Sequence, residues 1–447
     1  MGGLAFADEQ PPLYTPRMPL AVYSYARDHL LSTLRSFYAQ AECPIEAPGK
    51  TDYGDIDILV AEPLHHFDSH HIAAATRAVK HKKPAGSQTT HFAIPWPKPA
   101  PPTPPAKDSA AAADAAPTDD NDDDDDGAKY IQLDLHLCHA SSFRWELFHQ
   151  AHGDLWSIIG SHIRRLGLTA NNSGLYIRIE EMEARNKNAA RILLTTSPSE
   201  TLRFLGLDEK AYWRRFESVD ALFAYAASCR FFDPRRYKDW EAAAKGEGLK
   251  ANDRARARKR PLFRSWFEAY LPAHGHDEPV DAVAAVMSRQ EVVDEAKRWF
   301  GVGDQYDERR RRGLQDINRD KMWTRIRKES GIGDDSIGAV MRGVKREVVG
   351  ADDEAEQGGV HLTTLQRAYT HTDCDTAVQW VRDHWREIEE KQLAYEKEKS
   401  TVNLLAKLDR MRAEGKADDG TRLGKAKKKQ LAADAAGQET GLDLNVA

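Results

Sequence analysis

Two carboxylates stand one residue apart in GDIDILVAEP, residues 54–63, inside a stretch otherwise apolar enough for a buried strand. Strand side chains alternate between faces, so Ile56, Ile58 and Val60 point one way and Asp55 and Asp57 the other. Uncompensated, the two charges repel each other and raise one pKa; a metal removes the conflict. The alternation returns in KYIQLDLHLC, residues 129–138, where Ile131, Leu133, Leu135 and Leu137 alternate with Gln132, Asp134, His136 and Cys138. One face of this second strand is aliphatic, and the other carries a carboxylate at its middle.

Between those strands the composition collapses. KPAPPTPPAKDSAAAADAAPTDDNDDDDDG combines proline, alanine and an aspartate run with almost no apolar bulk. This predicts a disordered insertion over 97–128, an enlarged hairpin loop inside one domain, with Asp122 to Asp126 a solvated charge run. Upstream, PLAVYSYARDHLLSTLRSFYAQA spaces Val22, Ala26, Leu30, Leu34 and Phe37 for an amphipathic helix. HHFDSHHIAAATRAVKHKK reads as a second helix and TTHFAIPW as a short strand ended by prolines. Beyond residue 141, SSFRWELFHQAHGDLWSIIGSHIRRLG, SETLRFLGL and SVDALFAYAASCRFF predict helices, with GLYIRI and ARILLTT as short strands or extended pieces. Trp323, Ile326, Ile337, Val340, Met341 and Val344 can pack together in a predicted helix, turn and helix over 317–349. Residues 375–412 read as one long helix with Val381, Ile388, Tyr395 and Val402 every seven residues. Gln392 and Lys399 at the alternate positions weaken a coiled-coil seam, so packing on its own domain or a weak partner contact is favoured.

Carboxylates two apart on a strand can reach around divalent cations about 3.5–4 Å apart, the arrangement that clamps the attacking and leaving oxygens of an in-line phosphoryl displacement. Asp134, in a matching strand, has the setting to complete the set. Just upstream, PGKTDYG offers a loop whose amides can approach phosphates, with Lys50 as a point charge. A Gly-bearing loop, a strand with Asp-x-Asp, a helix, and a later strand with a single Asp: this order resembles the nucleotidyltransferase fold of the DNA polymerase β superfamily, and the downstream segments FHQAHGDLWSIIG, GLYIRI and TLRFLGLD resemble uncharacterised fungal and phage-type members of it. The resemblance covers residues 20–170 without the insertion, and Gly49-Lys50 stands where the family has Gly-Ser. It implies an α+β fold, a nucleotidyltransferase-like mixed sheet with flanking helices over 18–170. A mainly helical region over 171–350, a long helical segment over 360–415 and a disordered tail over 416–447 follow. It also implies that Asp55, Asp57 and Asp134 hold Mg²⁺ or Mn²⁺ and are catalytic, Asp134 orienting or deprotonating the acceptor hydroxyl, and that Gly49, Lys50, Thr51 and Gly54 bind the nucleotide. The expected reaction moves a nucleoside monophosphate from a nucleoside triphosphate to an acceptor hydroxyl, a nucleic acid being one candidate acceptor. The competing expectation is an inactive scaffold on the same fold that binds nucleic acid or protein.

The remaining signals narrow the setting. The 447 residues are 41% hydrophobic and 30% charged with a net charge of -6, a soluble globular composition without a global nucleic-acid signature. No run approaches the ~18 apolar residues of a membrane span, and the N-terminus lacks the order of a signal peptide, so an intracellular protein, cytoplasmic or nuclear, with no membrane partner is expected. Phe6 stands where a myristoylation signal wants Ser or Thr. Cys43, Cys138, Cys229 and Cys374 have no paired spacing and read as reduced thiols, not zinc ligands. His149, His152 and Asp154 read as a polar helix face, and His136 and Cys138 as cleft-lining or packed residues. The arginine run 309–312, usually a solvated helix face, permits a small nucleic-acid-binding unit with the helices that follow it.

Overall fold

A computed structural model describes residues 3–97, 128–233, 260–274, 287–349, 351–352 and 362–413. The expected insertion, apart from residues 97 and 128, and the expected tail lie outside them. The chain divides into two compact units, Met1–Arg310 and Arg311–Ala447.

The first unit contains a five-stranded sheet in the order β2 (Tyr38–Glu42), β4 (Ile56–Pro63), β7 (Tyr130–Leu137), β6 (Thr89–Pro95), β5 (Lys80–Lys82). β4 and β7 run parallel and every other neighbouring pair antiparallel, so the sheet is mixed and the fold class is α+β, as expected. Ile56, Ile58 and Val60 of β4 and Ile131, Leu133 and Leu135 of β7 enter one core with Phe92 of β6 and the buried stripe of helix α1 (Leu20–Leu34). Helix α2 (Ser69–Thr76) adds Ile72 and Ala73 to that core. A short pair, β1 (Met18–Pro19) with β3 (Asp52–Tyr53), ties the start of α1 to the loop before β4.

Two expected helices are shorter than their periodicity suggested. The first stops at Leu34, because residues 38–42 pair with β4 and bury Tyr38 and Ala41 on it, and that edge pairing outweighs a weak helical repeat. The second starts at the Asp68 cap, whose carboxylate accepts from the His70 and His71 amides. It ends at Arg77 in the left-handed region with φ 56°, and Lys80–Lys82 become the edge strand β5. β6 and β7 are antiparallel neighbours, and Trp96 N donates to Lys129 O at 3.0 Å, so the chain leaves and re-enters the sheet at one point.

The rest of this unit packs around a second, larger core. Helices α3 (Ala140–Gln150) and α4 (Leu155–Ile163) were expected as one helix. His152 and Gly153, with φ of 62° and 61°, break it; the His152 amide donates to Ile45 O and its Nε2 lies 2.7 Å from Tyr212 O. His152 is therefore a core residue in a turn, not part of a polar helix face. An antiparallel sheet of β8 (Leu168–Asn171), β9 (Gly174–Arg178) and β10 (Arg191–Thr195) follows, with α5 (Glu180–Glu183) between β9 and β10. Helices α6 (Pro198–Leu205), α7 (Glu209–Tyr212) and α8 (Val219–Ala227) contribute to the same core, and segments 261–274 and 289–300 complete it.

The helix Gly303–Glu329 begins in the first unit and ends in the second. In the second unit, Met322, Ile326, Ile337, Val340, Met341 and Val344 join one core, as their spacing indicated. Helix Thr364–Thr370 and the long helix Cys374–Ala413 close it. Val381 and Ile388 are buried there, whereas Tyr395 and Val402 are exposed, so the heptad packs only along its first half.

Candidate active site

Asp57 stands directly opposite Asp134 across the parallel β4–β7 pair, and Asp134 stands opposite His91 across β7–β6. Lys82 of β5 follows in the same register. Adjacent strands lie about 4.8 Å apart, so these side chains form a row across one face of the sheet, opposite the core that α1 and α2 fill. Asp55 precedes Asp57 by two residues and shares its face. Further along this face the surface becomes apolar: Leu59, Ala61, Cys138, Phe143 and Leu147 make a small core beneath α3. The acidic row therefore lies at the edge of a helix-covered region.

The electrostatics follow from that crowding. Desolvation first, then Asp55 and Asp134, push the Asp57 carboxyl up to about 7. More than a third of Asp57 is still reached by solvent, so the surrounding protein strips water from it without sealing it off. Desolvation, and then Asp134, raise Asp55 as well. Lys50 opposes both effects. Its ammonium is paired with Glu46 and lies over the Tyr53 ring at 5.6 Å. Glu46 also accepts from Tyr23 Oη at 2.7 Å, and Tyr23 stacks on Tyr53.

Asp134 is held by two donors. His91 Nδ1 lies 2.7 Å and Gln132 Nε2 2.8 Å from the same oxygen, Oδ1. Gln132 Oε1 in turn accepts the amide of Ala5 at 2.8 Å. The amino-terminal segment thus reaches this face, where Phe6 is buried beneath the Lys82 ammonium and Glu9 pairs with Lys80 and Lys82.

The structure brings Asp55, Asp57, Asp134 and Lys50 together. Gly49 turns the preceding loop with φ 76°, a conformation that favours glycine, and a side chain there would meet Val219. Gly54 is buried directly before Asp55, and its carbonyl lies against Gly3. Thr51 is exposed on the loop. Spacing overlooked His91, Gln132 and Glu46. The period-2 signal in TTHFAIPW does put His91 on the face opposite Phe92, but only the register shows that it meets Asp134. The arginine run is partly spent on internal contacts: Arg310 pairs with Glu181, and Arg309 donates to Arg191 O at 3.3 Å. No helix among the described residues is long and apolar enough to cross a membrane.

No family model and no curated protein matches the chain. Among solved structures, the chain is similar to the Leishmania infantum polymerase beta ternary P/T complex, with a TM-score of 0.30 and 13% identity over 45% of this chain and 77% of that one. A likeness of that degree leaves the functional reading to the residues themselves.

Proposed function

We propose that this chain is a metal-dependent nucleotidyltransferase that moves a nucleoside monophosphate from a nucleoside triphosphate to an acceptor hydroxyl. The observation that carries the reading is the parallel register that sets Asp134 opposite Asp57, with Asp55 two residues before it, on one accessible face of a mixed sheet. Three carboxylates are an all-oxygen donor set suited to Mg²⁺ or Mn²⁺, and the desolvation of Asp57, with the repulsion that Asp55 and Asp134 add to it, is the conflict a divalent cation relieves. Metal bound by Asp55, Asp57 and Asp134 would supply Lewis-acid neutralisation of phosphate oxygens.

The chain's own groups do the rest. His91 and Gln132 fix one oxygen of Asp134, leaving the other to orient the acceptor hydroxyl and take its proton. As the bond from the hydroxyl oxygen to the α-phosphorus forms, the bond to the bridging oxygen breaks and pyrophosphate leaves. Lys50 exchanges Glu46 for the arriving triphosphate. That same Lys50–Glu46 pair favours a second reading, a noncatalytic scaffold for nucleic acid or protein, because it already satisfies the cation a nucleotide would need. Incubation of the purified protein with each labelled nucleoside triphosphate, Mg²⁺ or Mn²⁺, and nucleic-acid or cell-extract acceptors decides between them. Label transfer that Asp57→Asn abolishes is expected; no transfer with any nucleotide, alongside retained nucleic-acid or protein binding, favours the scaffold.

A further inference from the structure

His136, Cys138 and Glu146 present a ring nitrogen, a sulfur and a carboxylate oxygen that all lie within 4.8 Å of one another. The first two come from β7 and its end, the third from α3. They stand on the same face as the aspartates but form a group of different chemistry. Where the carboxylate row offers only hard oxygens, this cluster mixes nitrogen, sulfur and oxygen, a donor set for a borderline cation such as Zn²⁺.

What distinguishes it from a chance cluster is the support behind each ligand atom. His136 Nε2 faces Glu146 Oε2 at 3.0 Å, while its other nitrogen, Nδ1, is held by Thr89 Oγ1 at 2.9 Å. When Nδ1–H donates to that hydroxyl, the lone pair of Nε2 is directed into the cluster. Glu146 is fixed in the same way: Oε2 faces His136, and Oε1 accepts from Ser142 Oγ at 2.6 Å. Cys138 is buried, with its amide tied to Val60 O at 2.8 Å. Metal-bound histidines and carboxylates are oriented by such partners on their non-ligating atoms. Bond lengths of about 2.0–2.3 Å place tetrahedral zinc ligands roughly 3.3–3.7 Å apart, so small side-chain adjustments close the group on an ion.

We infer that His136, Cys138 and Glu146 form a zinc-binding site, separate from the aspartate row, that clips the end of β7 to α3. Binding displaces the thiol proton and leaves a thiolate on zinc, with no change of oxidation state. The site does not depend on nucleotidyl transfer.

Cobalt(II) titration of the full-length, chelator-treated protein is the test, because tetrahedral cobalt bound to a thiolate gives a near-ultraviolet charge-transfer band that an oxygen-only site cannot. One equivalent of cobalt should produce that band, and zinc should displace it. Cys138→Ser should abolish it, whereas Cys374→Ser and Asp57→Asn should leave it intact. Thr89→Ala and Ser142→Ala, which keep all three ligands, should each weaken zinc binding by about 10- to 100-fold, read by competition with a chromophoric chelator. Wild-type protein without the band, or a band that survives in a Cys138→Ser variant of unchanged circular dichroism, overturns the inference. If Cys138→Ser does not fold, unaltered zinc affinity in both Thr89→Ala and Ser142→Ala, which remove the partners of the ligands, overturns it instead.

Discussion

Asp57 is where chemistry and stability oppose each other. Its carboxyl titrates at about 7 in the folded chain, against 3.8 for a free aspartate. Between those pH values the folded protein holds a proton that the unfolded chain has released, so metal-free stability falls as pH rises through this window. The penalty is absent below the lower value and complete above the upper one. Asp57→Asn removes it. In EDTA, the variant's melting temperature should exceed that of wild type by a margin that widens from pH 4 to pH 7.5, a modest one since water screens this exposed group. Adding Mg²⁺ or Mn²⁺ with a triphosphate should reverse the order, since ligand binding stabilises only the protein that retains the site. A margin flat across pH and indifferent to metal would remove the carboxylate conflict from the account. His91 holds Asp134, so under the proposed function His91→Ala should lower kcat for label transfer about 10- to 100-fold with a smaller change in KM for the nucleotide. An equal loss from Ser32→Ala, exposed on α1, would mean that the Asp134 contact is not what matters.

At the scale of elements, what could be read from sequence was whatever a local period encodes. The alternation in residues 54–63 and 129–138 located both strands and the face of each aspartate, because side-chain direction in a strand is a local property. Pairing is not local. That β4 and β7 are parallel neighbours with Asp57 opposite Asp134, or that Tyr38–Glu42 would leave a helical repeat for a sheet edge, depends on partners far along the chain. The break at His152–Gly153 was hidden for a related reason: it is fixed by contacts with Ile45 and Tyr212. The second unit's helix pair was legible in its apolar stripe, but its closeness of approach was not. A methyl group on Gly343 would come 2.5 Å from Ile388 Cγ2 and 3.2 Å from the Ile388 carbonyl on the long helix. Gly343→Ala should therefore destabilise the protein by about 1–3 kcal/mol despite the better helix propensity of alanine. Gly338→Ala, in the same helix but meeting only Arg342 at 3.6 Å, should stabilise it by about 0.5–1 kcal/mol. Chemical denaturation of both variants reads the contrast, and two changes of the same sign would show that propensity, not approach, governs the helix.

For the whole molecule, the partition of buried residues determines how far such effects spread. Every residue of the core that holds Ile56, Ile58 and Leu133, and of the larger core around Trp145 and Trp156, precedes residue 311; every residue of the core around Val340 and Val381 follows it. Cooperative melting requires shared buried surface, so the full chain should unfold in two calorimetric transitions. Gly343→Ala should then lower only one of them, by about 4–8 °C per kcal/mol for a unit with roughly 100 described residues. Asp57→Asn, with and without Mg²⁺ and a triphosphate, should move only the other. The two variants thus label the transitions independently, and the double variant should show the sum of both shifts. A single transition displaced by either substitution would mean that the helix Gly303–Glu329, continuous across the division, couples the units strongly enough for the acidic face to respond to packing in the helical unit.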